Sequence, residues 1–147
     1  MILEGLEATG LAQHLRASRW TYPLVNTGHL AGIALLVGSV VPMDLRLLRL
    51  VPGPDPQVVV AFLRPFAIAG VILAMTFGGL LFVARASEYA ENSWFRVKIA
   101  LLALAVLNAV LHLRVGPARP FLGQAVAAAS LLLWPAILLC GRMIGYS

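Results

Sequence analysis

The sequence predicts an all-α integral membrane protein, an antiparallel four-helix bundle preceded by a short N-terminal interfacial amphipathic helix. The first observation is composition: 61% of the 147 residues are hydrophobic and 12% are charged, whereas soluble domains carry about 25% charged residues. The second is a set of four apolar runs, each with the roughly 20 residues that a helix needs to cross a bilayer. They lie at about residues 22–43, 62–84, 96–114 and 121–144. The third is the shortness of the connections, which predicts a single domain over residues 1–147.

Each apolar run ends where helix-breaking or polar residues begin. The stretch Val-Pro-Gly-Pro-Asp-Pro at 51–56 separates the first two runs, and a polar stretch at 85–98 separates the second from the third. A Gly-Pro pair at 116–117 and Pro120 precede the fourth run, and residues of this kind are typical of turns. Four spans place both termini on the same side of the membrane.

A short amphipathic segment precedes the first run. Leu11, His14, Leu15 and Ser18 recur at i, i+3, i+4 and i+7, so a helix here would carry them on one face. A segment of this kind is expected to lie along the membrane interface, not to cross the bilayer.

The basic residues predict a lipid bilayer as the partner and no nucleic acid. The net charge is +5, but Lys and Arg stand singly between apolar runs, which is typical of bilayer ends and anionic headgroups. Compact basic ends follow the first and third runs and favour a cytoplasmic position for that side. Both termini are therefore predicted on the opposite side.

Several motifs resemble those of a known group of proteins. The stretch SRWTYPLVNTGHLAGIALLVGSVVPMDLRLL carries Trp-x-Tyr-Pro, His-x-x-Gly and Asp-Leu-Arg-Leu-Leu, and an aromatic-x-x-Lys opens the third run. Over residues 18–114 the chain resembles a family of small four-helix bacterial inner-membrane proteins of unknown function. This resemblance implies a multi-pass protein of the bacterial inner (plasma) membrane, so that both termini would be periplasmic. The topology and the glycine-flanked histidine are also similar to the membrane domain of copper-resistance D proteins.

His29 is the first candidate cofactor ligand. It lies inside the first run between Gly28 and Gly32, and an ionisable side chain in a span is costly enough to indicate a function. Met75 in the second run lies about 13 Å from the same membrane face, against about 10 Å for His29. Small residues beside each would leave room for a flat macrocycle, and His/Met is a known axial pair of haem. The sequence therefore predicts a haem b bound by His29, Met75, Gly28 and Gly32.

Other interpretations of these residues stay open. His14 of the interfacial helix, or His29 of a second copy, could replace Met75 as the distal ligand. Pairs of small residues also pack membrane helices, and a methionine often only fills space. His112 is excluded as the second ligand, because the two histidines differ in depth by about 15 Å.

A polar face runs along the third span. Lys98, Asn108 and His112 share this face at helical spacing. Asp44 ends the first span near the level of His112, where it could pair with His112 or with Arg64. The face is interpreted either as a proton or ion path, or as the inner seam of the bundle with Asn108 bonded to a neighbouring helix.

Motifs of soluble-type catalysis are absent from the sequence, so any chemistry would come from a cofactor. The leading hypothesis is a membrane subunit that holds haem b for electron transfer with a partner or a quinone. One alternative is a haem-free structural or assembly protein that forms a homo-oligomer or joins another membrane subunit. A second alternative is a metal-ion transporter that uses His29, Met75 and Cys140.

Overall fold

The computed structural model describes residues 2–114 and 120–146, and most of them lie in helices. Within these ranges there is no strand, so the predicted all-α class is confirmed. The elements in chain order are α1 (Ile2–Glu7), α2 (Gly10–Ala17), α3 (Thr21–Leu47), α4 (Pro56–Ala84), α5 (Ala86–Glu91), α6 (Ser93–Arg114), α7 (Pro120–Met143) and a 3₁₀ turn (Ile144–Tyr146).

Four of these helices are long and apolar enough to cross a membrane, namely α3, α4, α6 and α7 with its 3₁₀ turn. Consecutive long helices run antiparallel: Asn108 of α6 bonds to Val126 of α7, while Lys98, earlier in α6, lies against Gly141, later in α7. The predicted membrane bundle of helices is therefore confirmed. The predicted Gly-Pro break at 116–117 lies outside the described residues.

Two of the helices extend beyond the predicted spans at one end of the bundle. Helix α3 continues through Pro42 to Leu47, and α4 begins at Pro56, before the predicted start near residue 62. Proline is accommodated in the first turn because its missing N–H has no helical partner there. Asp55 caps α4 by accepting a hydrogen bond from the backbone N–H of Gln57 (2.8 Å).

Helices α3 and α4 approach each other closely across glycines. A Cβ added at Gly32 would overlap the backbone of Ala74, and one added at Gly70 would overlap the backbone of Leu36. Since these two α-carbons carry only hydrogen, the two backbones can come into contact, as is typical of membrane helix pairs. The glycine spacing in the first span therefore serves helix packing.

A shared core joins the two helix pairs. Its buried members come from all four long helices: Leu36, Ala67, Ala105, Trp134 and Ile137. Because α3 packs on α4 and on α7, and α7 packs on α6, the helices follow the order α4, α3, α7, α6. Between α4 and α6 lies a gap, bridged at one end by the stacked rings of Phe82 and Phe95, whose centroids are 5.4 Å apart.

The N-terminal amphipathic helix packs on the end of the bundle, but its buried face differs from the predicted one. Ala12 and Leu15 are buried, whereas Leu11 is half exposed. The Arg16 guanidinium donates a hydrogen bond to the carbonyl oxygen of Ala84 at the end of α4 (2.9 Å). The bond joins α2 to the end of α4, and the Ala12 and Leu15 side of α2 faces the bundle.

The carboxylate of Glu7 joins helix α1 to α5. Glu7 accepts a hydrogen bond from the backbone N–H of Ser87 (2.7 Å). This bond favours the ionised form and lowers the pKa of Glu7 from its ordinary value. The polar connection at 85–98 is therefore partly helical and holds the N-terminal segment.

Replacing Gly32 with Ala is expected to destabilise the protein by about 1–3 kcal/mol, the usual cost of overpacking, because the new methyl group would overlap the α4 backbone at Ala74. Thermal unfolding in detergent, followed by far-UV circular dichroism, measures the change. Gly38 in the same helix is the matched control, since nothing lies within 4 Å of a Cβ added there. Gly38→Ala should leave the midpoint unchanged or raise it, because Ala favours helix. Equal midpoints for the two variants would contradict the glycine contact.

Candidate functional site

His29 lies between α3 and α4, and its imidazole rests on the bare α-carbon of Gly78. A Cβ added at Gly78 would lie 2.9 Å from His29 Cε1. His29 Nδ1 is 2.7 Å from the carbonyl oxygen of Ala74. Because a carbonyl oxygen only accepts, Nδ1 carries the proton and donates this bond. In the neutral ring the lone pair is then on Nε2, which is the atom left to bind a ligand.

Helix α4 occupies the space beside the two glycines that flank His29. A Cβ added at Gly28 would lie 2.7 Å from the ring of Phe77, and one added at Gly32 would meet the backbone of Ala74. The sequence predicted that a macrocycle would occupy the space beside Gly28 and Gly32. In the structure α4 fills this space. A planar group bound by His29 would have to lie outside the α3–α4 contact.

Met75 lies on the flank of α4 that faces α6. Met75, Gly78 and Phe82 recur at i, i+3 and i+7 and share this flank, and Phe82 stacks on Phe95 of α6. The Met75 side chain is 54% exposed. Since His29 rests on Gly78, one turn from Met75, both side chains are on the side of α4 that borders the gap.

The other predicted ligands near this end have different surroundings. His14 Nε2 is 3.1 Å from the hydroxyl oxygen of Thr21 at the start of α3, and Cys140 is buried in α7. Among the residues that the structure describes, no group of three or more His, Cys, Asp or Glu side chains could hold a metal ion. The described residues therefore offer no cluster of this kind that would support metal transport.

His112 lies toward the opposite end of the bundle from His29. His112 and Arg64 line one cavity, whereas His29 rests on Gly78. Gly78 follows Arg64 by 14 positions, which corresponds to about 21 Å along α4. His29 and His112 of one chain are therefore too far apart to bind the same iron.

The cavity beside His112 lies between α4 and α6 and has a volume of about 220 Å³. Helices α3 and α7 form its floor, and Trp134 of α7 is part of that floor. Most of the lining is apolar, and the polar side chains that line it are Asp44, Arg64, Asn108, His112 and Ser130. These include Asn108 and His112 of the predicted polar face, together with Asp44, which was predicted to lie near the level of His112.

Asp44 and Arg64 each have a buried polar atom without a hydrogen-bond partner. Asp44 is 2% exposed, and neither its Oδ2 nor Nε of Arg64 is bonded. Neither of the two predicted ion pairs of Asp44, with His112 or with Arg64, forms between these described residues. Instead, Ser130 lies within hydrogen-bonding reach of Asp44. A buried carboxyl with an unused oxygen is costly, which makes this cavity a second candidate site.

The polar face of α6 divides between α7 and the cavity. Nζ of Lys98 lies 3.2 Å from the position of a Cβ added at Gly141 of α7. The Asn108 amide donates a hydrogen bond to the carbonyl oxygen of Val126 (3.0 Å). One part of the face is thus the seam between α6 and α7, and the part that includes His112 borders the cavity.

Comparison with known proteins identifies the family. Residues 21–147 match a family described as "Family of unknown function (DUF6644)", and the chain belongs to this family. No curated protein and no solved structure matches the chain. The match agrees with the resemblance to proteins of unknown function, whereas the likeness to copper-resistance D proteins stays a prediction. The family description assigns no activity.

Replacing Asp44 with Asn is expected to raise the thermal unfolding midpoint in detergent at neutral pH. The amide keeps the shape of the carboxyl group but carries no charge at a buried position where Asp44 forms no ion pair. Asp55→Asn is the matched control, because Asp55 is an exposed N-cap and Asn caps helices as well as Asp. A lower midpoint for Asp44→Asn would contradict this description and would mean that the carboxylate has a stabilising partner.

Proposed function

We propose that this DUF6644 member is a membrane subunit that holds a b-type haem at His29 and transfers electrons to or from another membrane component. The observation that carries the proposal is the 2.7 Å contact between His29 Nδ1 and the Ala74 carbonyl oxygen. A histidine that ligates a metal commonly donates its other ring N–H to such a carbonyl, which fixes the tautomer and the ring orientation. His29 has this arrangement, with Nε2 left as the ligand atom.

Met75 is the proposed distal ligand. Its exposed side chain borders the same gap as His29, and a thioether paired with an imidazole is an established axial set for haem. When bound, haem would supply one-electron transfer between ferric and ferrous iron. His14 and the His29 of a second copy are the alternative distal ligands, and each predicts a different response to substitution.

The four candidate spans imply a lipid environment, and we place the protein in the bacterial inner membrane with both termini periplasmic. The basic ends that follow α3 and α6 support this orientation. A homo-oligomer or another membrane subunit would cover the open side of His29 and exclude lipid from the iron. The partner in either case would contact the gap between α4 and α6.

A haem-free structural or assembly protein is the alternative function. The glycines expected to pack against another chain are instead covered from within: Phe77 covers Gly28, and Ala74 covers Gly32. Such a protein would therefore have to associate through other surfaces, such as the exposed Leu107 side of α6.

The absorption spectrum of protein purified after haem-sufficient expression tests the proposal. We expect a Soret band that shifts on reduction with dithionite. His29→Ala should abolish the band because Nε2 supplies the proximal ligand, whereas Met75→Leu should keep the band but shift it. His14→Ala is the comparison variant and should leave the spectrum unchanged; a shift there would assign the distal position to His14.

Absence of a Soret band in the unaltered protein would overturn haem binding. A His29→Ala protein with an unchanged band would overturn the assignment of the ligand. Far-UV circular dichroism of each variant separates loss of haem from loss of fold.

A further inference from the structure

We propose that the cavity between α4 and α6 binds the ring of a neutral, lipid-soluble quinone or quinol. The proposal goes beyond haem binding and uses none of the residues of the His29 site, so the two can fail separately. It stands on where the cavity opens, on its volume, and on the two unpartnered polar atoms that line it.

The mouth of the cavity opens on lipid. Ile68 and Ile72 of α4 and Leu113 of α6 line the cavity and are exposed on the surface of the membrane-spanning region. A ligand dissolved in the bilayer can therefore reach the cavity between α4 and α6 without passing through water. This favours an apolar molecule over a water-soluble metabolite.

The volume of the cavity suits a single substituted ring. At about 220 Å³ it exceeds the engineered cavity of about 150 Å³ that takes benzene, but it is too small for a haem. Trp134 is 6% exposed and supplies an aromatic surface in the floor, against which a flat ring can stack.

The polar atoms in the cavity call for a neutral ligand with ring oxygens. Nε–H of Arg64 is a buried donor without an acceptor, and Oδ2 of Asp44 is a buried oxygen without a donor. An anion would be attracted by the Arg64 guanidinium but repelled by the Asp44 carboxylate, and a cation the reverse, so a charged ligand gains little from the pair. A quinone oxygen can accept from Arg64, and a quinol hydroxyl can donate to Asp44, so this class satisfies both groups without adding charge.

Calorimetric titration of the purified protein in detergent tests this site. The probes are duroquinone and durene, which have the same six-membered carbon ring with four methyl groups; durene is aromatic and has C–H groups where duroquinone has its two carbonyl groups. We expect saturable binding of one duroquinone per chain. Durene should bind at least about ten-fold more weakly than duroquinone. A hydrogen bond to a charged group contributes enough free energy for a factor of this size.

Two substitutions define the location of the site. Ala109→Phe places a ring inside the cavity, because Ala109 lines it, and should abolish duroquinone binding. Ala103→Phe is the matched control, since Ala103 is an exposed residue of the same helix that does not line the cavity, and binding should persist. Arg64→Gln should weaken duroquinone binding about ten-fold through loss of the charged donor.

Three results would overturn the proposal. The first is no saturable binding of duroquinone to the unaltered protein. The second is binding of durene as tight as that of duroquinone. The third is equal binding of duroquinone to the Ala109→Phe and Ala103→Phe proteins. Circular dichroism and gel filtration of both alanine variants establish that each is folded and monodisperse before titration.

Discussion

The contact between the backbones of α3 and α4 determines the surroundings of His29. Because Gly32 presents no side chain to Ala74, the two helices lie close enough for the Ala74 carbonyl oxygen to accept the His29 Nδ1–H at 2.7 Å. At a wider spacing this N–H would face hydrocarbon, where no water replaces a missing partner. The glycines therefore set the distance between α3 and α4, and this distance fixes the tautomer of the His29 imidazole.

The two polar sites of the bundle differ in how far the protein satisfies them. His29 has a backbone acceptor, so the fold itself stabilises its orientation. Asp44 and Arg64 have unused atoms that face a cavity, an arrangement that costs stability in the absence of a ligand. Both sites border the gap between α4 and α6, which exists because α6 packs on α7 and leaves one flank of α4 uncovered. The gap gives lipid-soluble molecules access to the interior.

The sequence could predict the spans and the unusual polar residues, because lipid permits few arrangements of an apolar chain and a lone His29 or Asp44 stands out within one. It could not predict that Phe77 would cover Gly28, since this depends on the rotation of α4 about its axis. Prolines marked some helix ends and not others: α4 begins at Pro56 and α7 at Pro120, whereas α3 continues through Pro42, as is tolerated in membrane helices. The sequence could not predict the cavity either, because the cavity depends on the tertiary packing: α6 packs on α7 and leaves one flank of α4 uncovered.

The protonation of the His29 ring tests the central claim most directly. Solid-state NMR of ¹⁵N-histidine-labelled, haem-free protein in bilayers distinguishes protonated from unprotonated ring nitrogens, and a His29→Ala sample identifies the signals of this residue. The structure requires a protonated, hydrogen-bonded Nδ1, and in the neutral ring Nε2 then carries no proton. A proton on Nε2 with a bare Nδ1 would contradict the bond to Ala74, and with it the role of the α3–α4 contact in preparing a ligand.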